Sequence, residues 1–599
     1  MISDGVPRSS SALPTIPILP NEDVIQERVA AARRALESQA GLEEREASHF
    51  KRPVERPFLK SERATTTLLF GGLTWKHEKL IHGAWEGLGY KVEVIQTPDV
   101  AAFQLGKEYG NNGQCNPTYF TVGNLVQYLQ KKRDEENIPT QQLLDSYVFL
   151  TAGACGPCRF GMYEAEYRLA LRNAGFDGFR VMLFQQSGGL SQSDTEAGLE
   201  MNLDFFLGML NGMMMGDLVN ELAHQVRPYE INPGETDRVL DESMEYLHGV
   251  MKNRKNPGVE GKMEALLERL GKVGTANLAV KFIDQLRTSY YTDALAEVRR
   301  RFEAVPVDYT RCKPTVKITG EFWAQTTEGD GNFNMFRFLV QEGGEVLVEP
   351  IATWINYMVH QARTKMGDRR GLKEGETPAP GWRIDKQMAR EMDYRKRLSR
   401  FNLVEKIVRR EYDRMREALG GTCHALADQP ELTRTGHPFY NSRSGGGEGH
   451  LEVAKAIYYT NHELAHMVLS VKPFGCMPST QSDGAQSAVV SMFKDLIYLP
   501  IETSGEGEIN AHSRVQMALG EAKFKAKDEF ARALDVAGVS LDEIRAYVEA
   551  HPELKNPLQA LPKYKSFIGK GANFVIHVGS LMRAERGLPE PAAELAASH

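Results

Sequence analysis

Four of the six cysteines in this 599-residue chain are followed two residues later by proline: Cys115-Asn116-Pro117, Cys155-Gly156-Pro157, Cys312-Lys313-Pro314 and Cys476-Met477-Pro478. At an average proline frequency of about 5%, chance would produce this in about one chain in ten thousand. Proline is favoured in the first turn of a helix, where its missing N–H would have no partner and its fixed φ already suits the helix. A cysteine just before such a proline therefore sits at a helix N-terminus. There the dipole and the free backbone N–H groups favour a thiolate, or an anionic metal cluster, over a neutral thiol. The pattern predicts a protein that presents thiolates.

The flanking residues distinguish these cysteines from one another. Cys155 and Cys158 follow the strand-like SYVFLTAG and precede a helical pattern, the place where ligands gather in open α/β sheets. Cys115 follows the loop KEYGNNGQ, with Asn116 as a candidate cap, and Cys476 follows the buried run HMVLSVKPFG. Three strand-to-helix loops thus each offer a cysteine. Cys312 is followed by a strand and is a weaker ligand candidate, and Cys423, in GGTCHALAD, reads as a buried or idle thiol. Thiolates drawn singly from distant glycine-bearing loops suit an iron–sulfur cluster between domains. Structural zinc usually shows two close ligand pairs, and only one is present.

Other motifs compete with this reading. Cys155-Gly156-Pro157-Cys158 reproduces the C-x-x-C of thiol–disulfide exchange, but a thioredoxin-type domain has no use for the distant Cys476. His462-Glu463-Leu464-Ala465-His466 matches the zinc-hydrolase H-E-x-x-H. The segment is soon followed by Ser470 and Lys472-Pro473, with no third ligand at metalloprotease spacing, so these histidines are expected to cap or pack a helix leading to Cys476. The loop SRSGGGEGH (442–450) lacks the Gly-Lys-Ser/Thr ending of a phosphate loop and reads as a linker or as a CoA or anion contact. In ETSGEGEINAHSRVQMAL (502–519), two glutamates among glycines suit either a helix cap or the ordering of a cluster pocket.

The elements that must position these residues alternate. TTTLLFGG, YKVEVIQT, SYVFLTAG and FRVMLFQQ read as strands separated by helical patterns, which implies a parallel sheet covered on both faces. The expected organisation is an arm over 1–62, a first α/β lobe over 63–200 and a helical region over 201–310. A second α/β lobe follows over 311–524 with a charged helical insertion at about 380–420, then a helical tail over 525–599. The Met-rich FFLGMLNGMMMGDLVNEL is expected to fill a core. A net charge of −7 offers no footprint for nucleic acid or an anionic membrane. No apolar run is long enough to cross a bilayer, the first residues lack a secretory pattern, and sparse cysteines argue against a disulfide scaffold. A cytoplasmic protein is expected.

At YGNNGQCNPTYFTVGNL, TAGACGPCRFGMYE, VKITGEFWAQTTEGDGN, VKPFGCMPST and GEGEINAHSR, the chain resembles the 2-hydroxyacyl-CoA dehydratase and double-cubane cluster protein superfamily, particularly the proteins related to CoA-substrate-specific enzyme activases. The motifs keep their order and cover most of residues 65–525. The resemblance implies two flavodoxin-like (Rossmann-like) lobes facing each other with a helical domain. It also implies an iron–sulfur cluster, four-iron four-sulfur or double cubane, held by Cys115, Cys155 and Cys476, with Cys158 a fourth ligand or a neighbour. It further implies a homo- or hetero-dimer and an ATP-hydrolysing activator of the actin-like class that supplies low-potential electrons. ATP is needed because an anionic, thiolate-rich cluster resists a further electron. The chain has no ATP-phosphate loop of its own, which places it on the electron-accepting side, reducing or dehydrating a small substrate. The alternatives are a non-catalytic electron relay or assembly subunit and, at His462, Glu463 and His466, a zinc hydrolase.

Overall fold

The computed structural model describes residues 22–39, 55–153, 158–184, 198–255, 257, 273–370, 372, 383–445 and 447–588. The chain divides into two units, 1–54 and 55–599. The first contains the helix Glu22–Gln39, whose described side chains are exposed, as its lack of an apolar face leads one to expect.

The second unit is α/β and carries two four-stranded parallel sheets. In the first, β1 (Thr67–Phe70), β2 (Lys91–Val94), β3 (Tyr147–Ala152) and β4 (Arg180–Phe184) lie in the order β2-β1-β3-β4. In the second, β5 (Thr315–Gly320), β6 (Glu345–Leu347), β7 (Met467–Pro473) and β8 (Ile497–Thr503) lie in the order β6-β5-β7-β8. The two topologies are the same, and they repeat the first four strands of the flavodoxin-like order. The central strands β1, β5 and β7 are buried along their length on both faces, so none shows an alternating apolar and polar pattern of burial. In each sheet the chain leaves the first strand to one side and returns on the other. The crevice between β1 and β3, and that between β5 and β7, is therefore the switch point where ligands bind.

Helices join the lobes. Leu203–Val226 buries Met214 and Met215 completely, in keeping with a core-filling role for the Met-rich stretch. Its Asp217 accepts hydrogen bonds from the N–H groups of Ile351 (2.7 Å) and Ala352 (2.9 Å), which open the helix Ile351–Asp368, and pairs with His77 Nε2 of the first lobe at 3.0 Å. The charged insertion is the helix Ile384–Ala418. Lys570–Glu585 places Phe574, Val575 and Ile576 in the main core, and Glu508–Ala537 runs unbroken through residue 524, the expected end of the second lobe.

The centre of the second sheet carries a charge cluster. Lys317 of β5, fully buried, pairs with Glu349 at 2.7 Å, and Lys455 of the helix Gly449–Asn461 approaches the same carboxylate at 3.4 Å. Burial pushes the Lys317 ammonium down to about 8, because it must share one anion with Lys455. Burial alone would raise the Glu349 carboxyl, but its two cationic neighbours outweigh that and hold it at about 2. Glu349→Gln leaves two buried ammonium groups without a counter-charge and is expected to cost about 3–5 kcal/mol, read as a lower urea midpoint. In the native protein the Glu349 contribution is complete above its ordinary value of 4.5 and is lost as pH falls toward 2. The depressed Lys317 is a penalty at neutral pH that is relieved as pH climbs from about 8 toward 10.5, so stability rises with pH in that window too. The acid limb of the stability–pH curve should accordingly be shallower in Glu349→Gln.

Candidate functional site

Three of the expected ligand cysteines are placed by two helix starts and one loop. Cys115 immediately precedes the helix Asn116–Asp134 and Cys476 immediately precedes Met477–Met492, but Cys115 follows the helix Val100–Tyr109 and so sits between two helices, not in the expected strand-to-helix loop. Both have extended backbones, and in both helices proline is the second residue. Cys158 follows β3 and leads, through a short helical turn, into the helix Tyr163–Asn173. Cys155 lies outside the described residues.

The two lobes bring Cys115 and Cys476 together. The N–H of Asn116 donates to the Phe474 carbonyl at 3.1 Å, and the Asn116 side-chain amide donates to the Thr503 carbonyl at 2.5 Å. Helix Asn116–Asp134 of the first lobe thus starts on the carboxyl ends of β7 and β8. Gly475 makes the approach possible. It adopts φ +77°, and a Cβ there would lie 3.1 Å from the Gln114 carbonyl oxygen and 3.3 Å from Cys115 Cα. Gly447 (φ +86°) lets its loop approach Pro478, whose ring would lie 2.4 Å from a Cβ there, and the same position stands 3.7 Å from Cys158 Cβ, in ordinary contact. Cys115, Cys158 and Cys476 therefore converge where the lobes meet. The aromatic rings of Phe103, Phe120 and Trp323 pack between the lobes, with centroids 4.9 and 5.4 Å apart along the series.

Among the described residues, the three sulfurs do not fall within the 4.8 Å spread expected of side chains gripping a single ion. Cys115 Sγ lies 3.1 Å from the Tyr163 hydroxyl and 3.3 Å from the Thr118 hydroxyl. Two carboxyl groups complete the site. Glu321, directly after β5, accepts from the Ala324 N–H at 2.9 Å, and Glu448 accepts from the Phe322 N–H. Burial raises both carboxyls, with Glu448 raising Glu321 further and Glu452 raising Glu448, so the pair retains a proton well above the usual carboxylate range.

The thiols are not the activated thiolates that their helix positions lead one to expect. Burial pushes Cys158 up to about 12, with Glu448 adding to the effect. Burial and Glu321 likewise raise Cys476, and burial raises Cys115 despite its hydroxyl partners. Desolvation and negative neighbours outweigh the helix dipole. A thiolate becomes favourable here only with a cationic partner, the condition that iron ligation meets.

The H-E-x-x-H reading is overturned. Its helix ends at Asn461, and Glu463 takes a left-handed φ of 51°. His462 Nε2 pairs with Glu431 at 2.7 Å, whereas His466 is buried at the entrance to β7 and accepts from the Thr315 N–H at 3.0 Å. Two histidines facing different partners cannot share a zinc ion, and they lead into a strand, not a helix. Cys312 donates to the Ala526 carbonyl and Cys423 to the Leu218 carbonyl, away from the site. The glycine loop 442–450 is neither spacer nor phosphate cradle: it carries Gly447 and Glu448 into the site. Glu506 and Glu508 are exposed beside the start of their helix.

No family model matches the chain, and no curated protein or solved structure is detectably similar to it.

Gly475→Ala is expected to force the lobes apart at Cys115. In reduced, metal-free protein, the native Cys115 and Cys476 should react slowly with iodoacetamide at pH 8. Both should label several-fold faster in Gly475→Ala, as read by peptide mass spectrometry. Unchanged rates would show that the glycine does not hold the contact.

Proposed function

We propose that the chain is an iron–sulfur protein of the 2-hydroxyacyl-CoA dehydratase and double-cubane type, with Cys115, Cys158 and Cys476 as cluster ligands and Cys155 as a further one. The observation that carries the reading is the convergence of three sulfurs from both lobes, two at helix starts and one in the loop after β3. The donor set fits: soft sulfur ligands, Cys115 and Cys476 buried and Cys158 partly so, all costly to ionise without a metal. A bound cluster would supply single-electron transfer at low potential.

The chain's own residues have defined parts in this reading. Tyr163 and Thr118 are placed to donate hydrogen bonds to the Cys115 sulfur, which favours the reduced state of anything bound there. Glu321 and Glu448 keep a proton beside the sulfurs that a small substrate can take up as it is reduced. The Phe103, Phe120 and Trp323 cluster closes the lobe interface to water. The resemblance adds an ATP-hydrolysing activator as electron donor, and a dimer.

Anaerobic purification tests the reading. Brown protein with about four or about eight iron atoms per chain and matching sulfide is expected. Cys115→Ser and Cys476→Ser should each lose most of the iron and the visible absorption, while Cys423→Ser should keep both. Colourless protein that binds no iron after anaerobic reconstitution would overturn the assignment. With an activator ATPase, ATP and a strong reductant, turnover distinguishes a catalyst from a relay.

A further inference from the structure

A second group of metal-ligating side chains lies on the helices Trp75–Gly87 and Glu235–Asn253. These helices approach each other through a pair of glycines one turn apart. A Cβ at Gly83 would lie 2.6 Å from the His248 carbonyl oxygen, and one at Gly87 would lie 2.4 Å from that of Lys252. No larger residue fits at either position without separating the helices. The contact is therefore fixed, and it holds His248 against the face that carries His82 and Glu86, which are neighbours on their own helix at i and i+4.

His82, Glu86 and His248 are each half-buried, and one ligand atom from each falls within 4.8 Å of the others, a spacing that no other three histidine, cysteine, aspartate or glutamate side chains achieve among the described residues. Glu86 Oε2 stands 3.6 Å from His248 Nε2, and the two imidazole rings are 5.1 Å apart at 55°. The other Glu86 oxygen accepts from Lys252 at 2.7 Å, which orients the carboxylate as outer partners of metal ligands do. Among the described residues no hydrogen bond engages the His82 ring. We propose that His82, Glu86 and His248 bind a divalent ion of the zinc type, with water completing the coordination. Two histidines and a carboxylate form a three-ligand set that leaves a position open.

Full-length metal-free protein titrated with Co²⁺ tests the site, because nitrogen and oxygen ligation gives visible bands without the intense near-ultraviolet charge transfer of thiolates. The expected result is one such equivalent, displaced by Zn²⁺, with the thermal midpoint rising on Zn²⁺ addition. Loss of an outer partner already costs 10–100-fold in affinity, so His248→Gln and Glu86→Gln should each weaken binding by at least about 100-fold. Cys476→Ser should leave these bands intact. Bands that survive in both His248→Gln and Glu86→Gln, each verified as folded by circular dichroism, would overturn the proposal. So would Co²⁺ binding that shows only sulfur charge transfer.

Discussion

The arrangement of the site depends on one contact, the seating of the Asn116–Asp134 helix start on the carboxyl ends of β7 and β8. Two hydrogen bonds from Asn116 fix it, and the left-handed Gly475 lets backbone pass backbone where a side chain would intervene. On the other side, the same helix is pressed onto Val100–Tyr109 through Gly106 and Gly123, whose missing Cβ atoms would lie 1.9 Å and 1.8 Å from the carbonyl oxygens of Tyr119 and Ala102. Glycine thus sets the position of Cys115 from both directions. Tight interior packing of this kind leaves little room to shift.

Magnitudes decide what the cysteines are. A helix N-terminus contributes about 0.3–1 kcal/mol to an anion near it, and up to about 2 kcal/mol in favourable, partly buried geometries. Raising the Cys158 thiol from 9.0 to about 12 corresponds to about 4 kcal/mol against the thiolate. The dipole therefore cannot make these cysteines nucleophiles unaided. A site that buries several thiols beside two carboxyl groups is poorly suited to thiol–disulfide exchange, which runs on exposed, low-pKa thiolates. It is suited to a cation that repays the desolvation, and a cluster ligated from both lobes would also fasten them together.

Much of this was legible in the chain. The four strands of the first lobe, the long charged insertion, the Met-rich core and the helix-start placement of Cys115 and Cys476 all follow from local signals: apolar runs, 3.6-residue periodicity and proline at the first turn. The partners across the site were not. Tyr163 and Glu321 lie in segments noted for other reasons, and Glu448 sits in a glycine loop with the composition of a spacer. Nothing local distinguishes Glu448 from a solvated glutamate, because its role comes from a hydrogen bond to Phe322 across 126 residues of chain. The H-E-x-x-H misreading has the same origin. The motif presumes a continuing helix, but Glu463 turns left-handed, and strand pairing with β5 takes over at Met467.

The two lobes repeat one topology but use it differently, which bears on where chemistry can occur. The loops after β3 and β7 occupy equivalent positions, and both carry cysteine, so sulfur comes to the interface from each sheet. The loops after β1 and β5 are also equivalent, and each holds a buried, proton-retaining carboxyl by backbone N–H groups. In the first lobe this is Glu78, which accepts from the Leu73 N–H at 2.9 Å and is raised by burial to about 8. In the second it is Glu321. The difference lies in reach. Glu78 springs from a helix and folds back toward Gly71, 3.7 Å from that residue's missing Cβ, so it closes its own loop. Glu321 springs directly from the strand end and opposes ionisation of all three cysteines, as a carboxylate beside them must. The repeated topology thus holds a buried acid after the first strand of each sheet, and of these two the one in the second lobe lies beside the sulfurs.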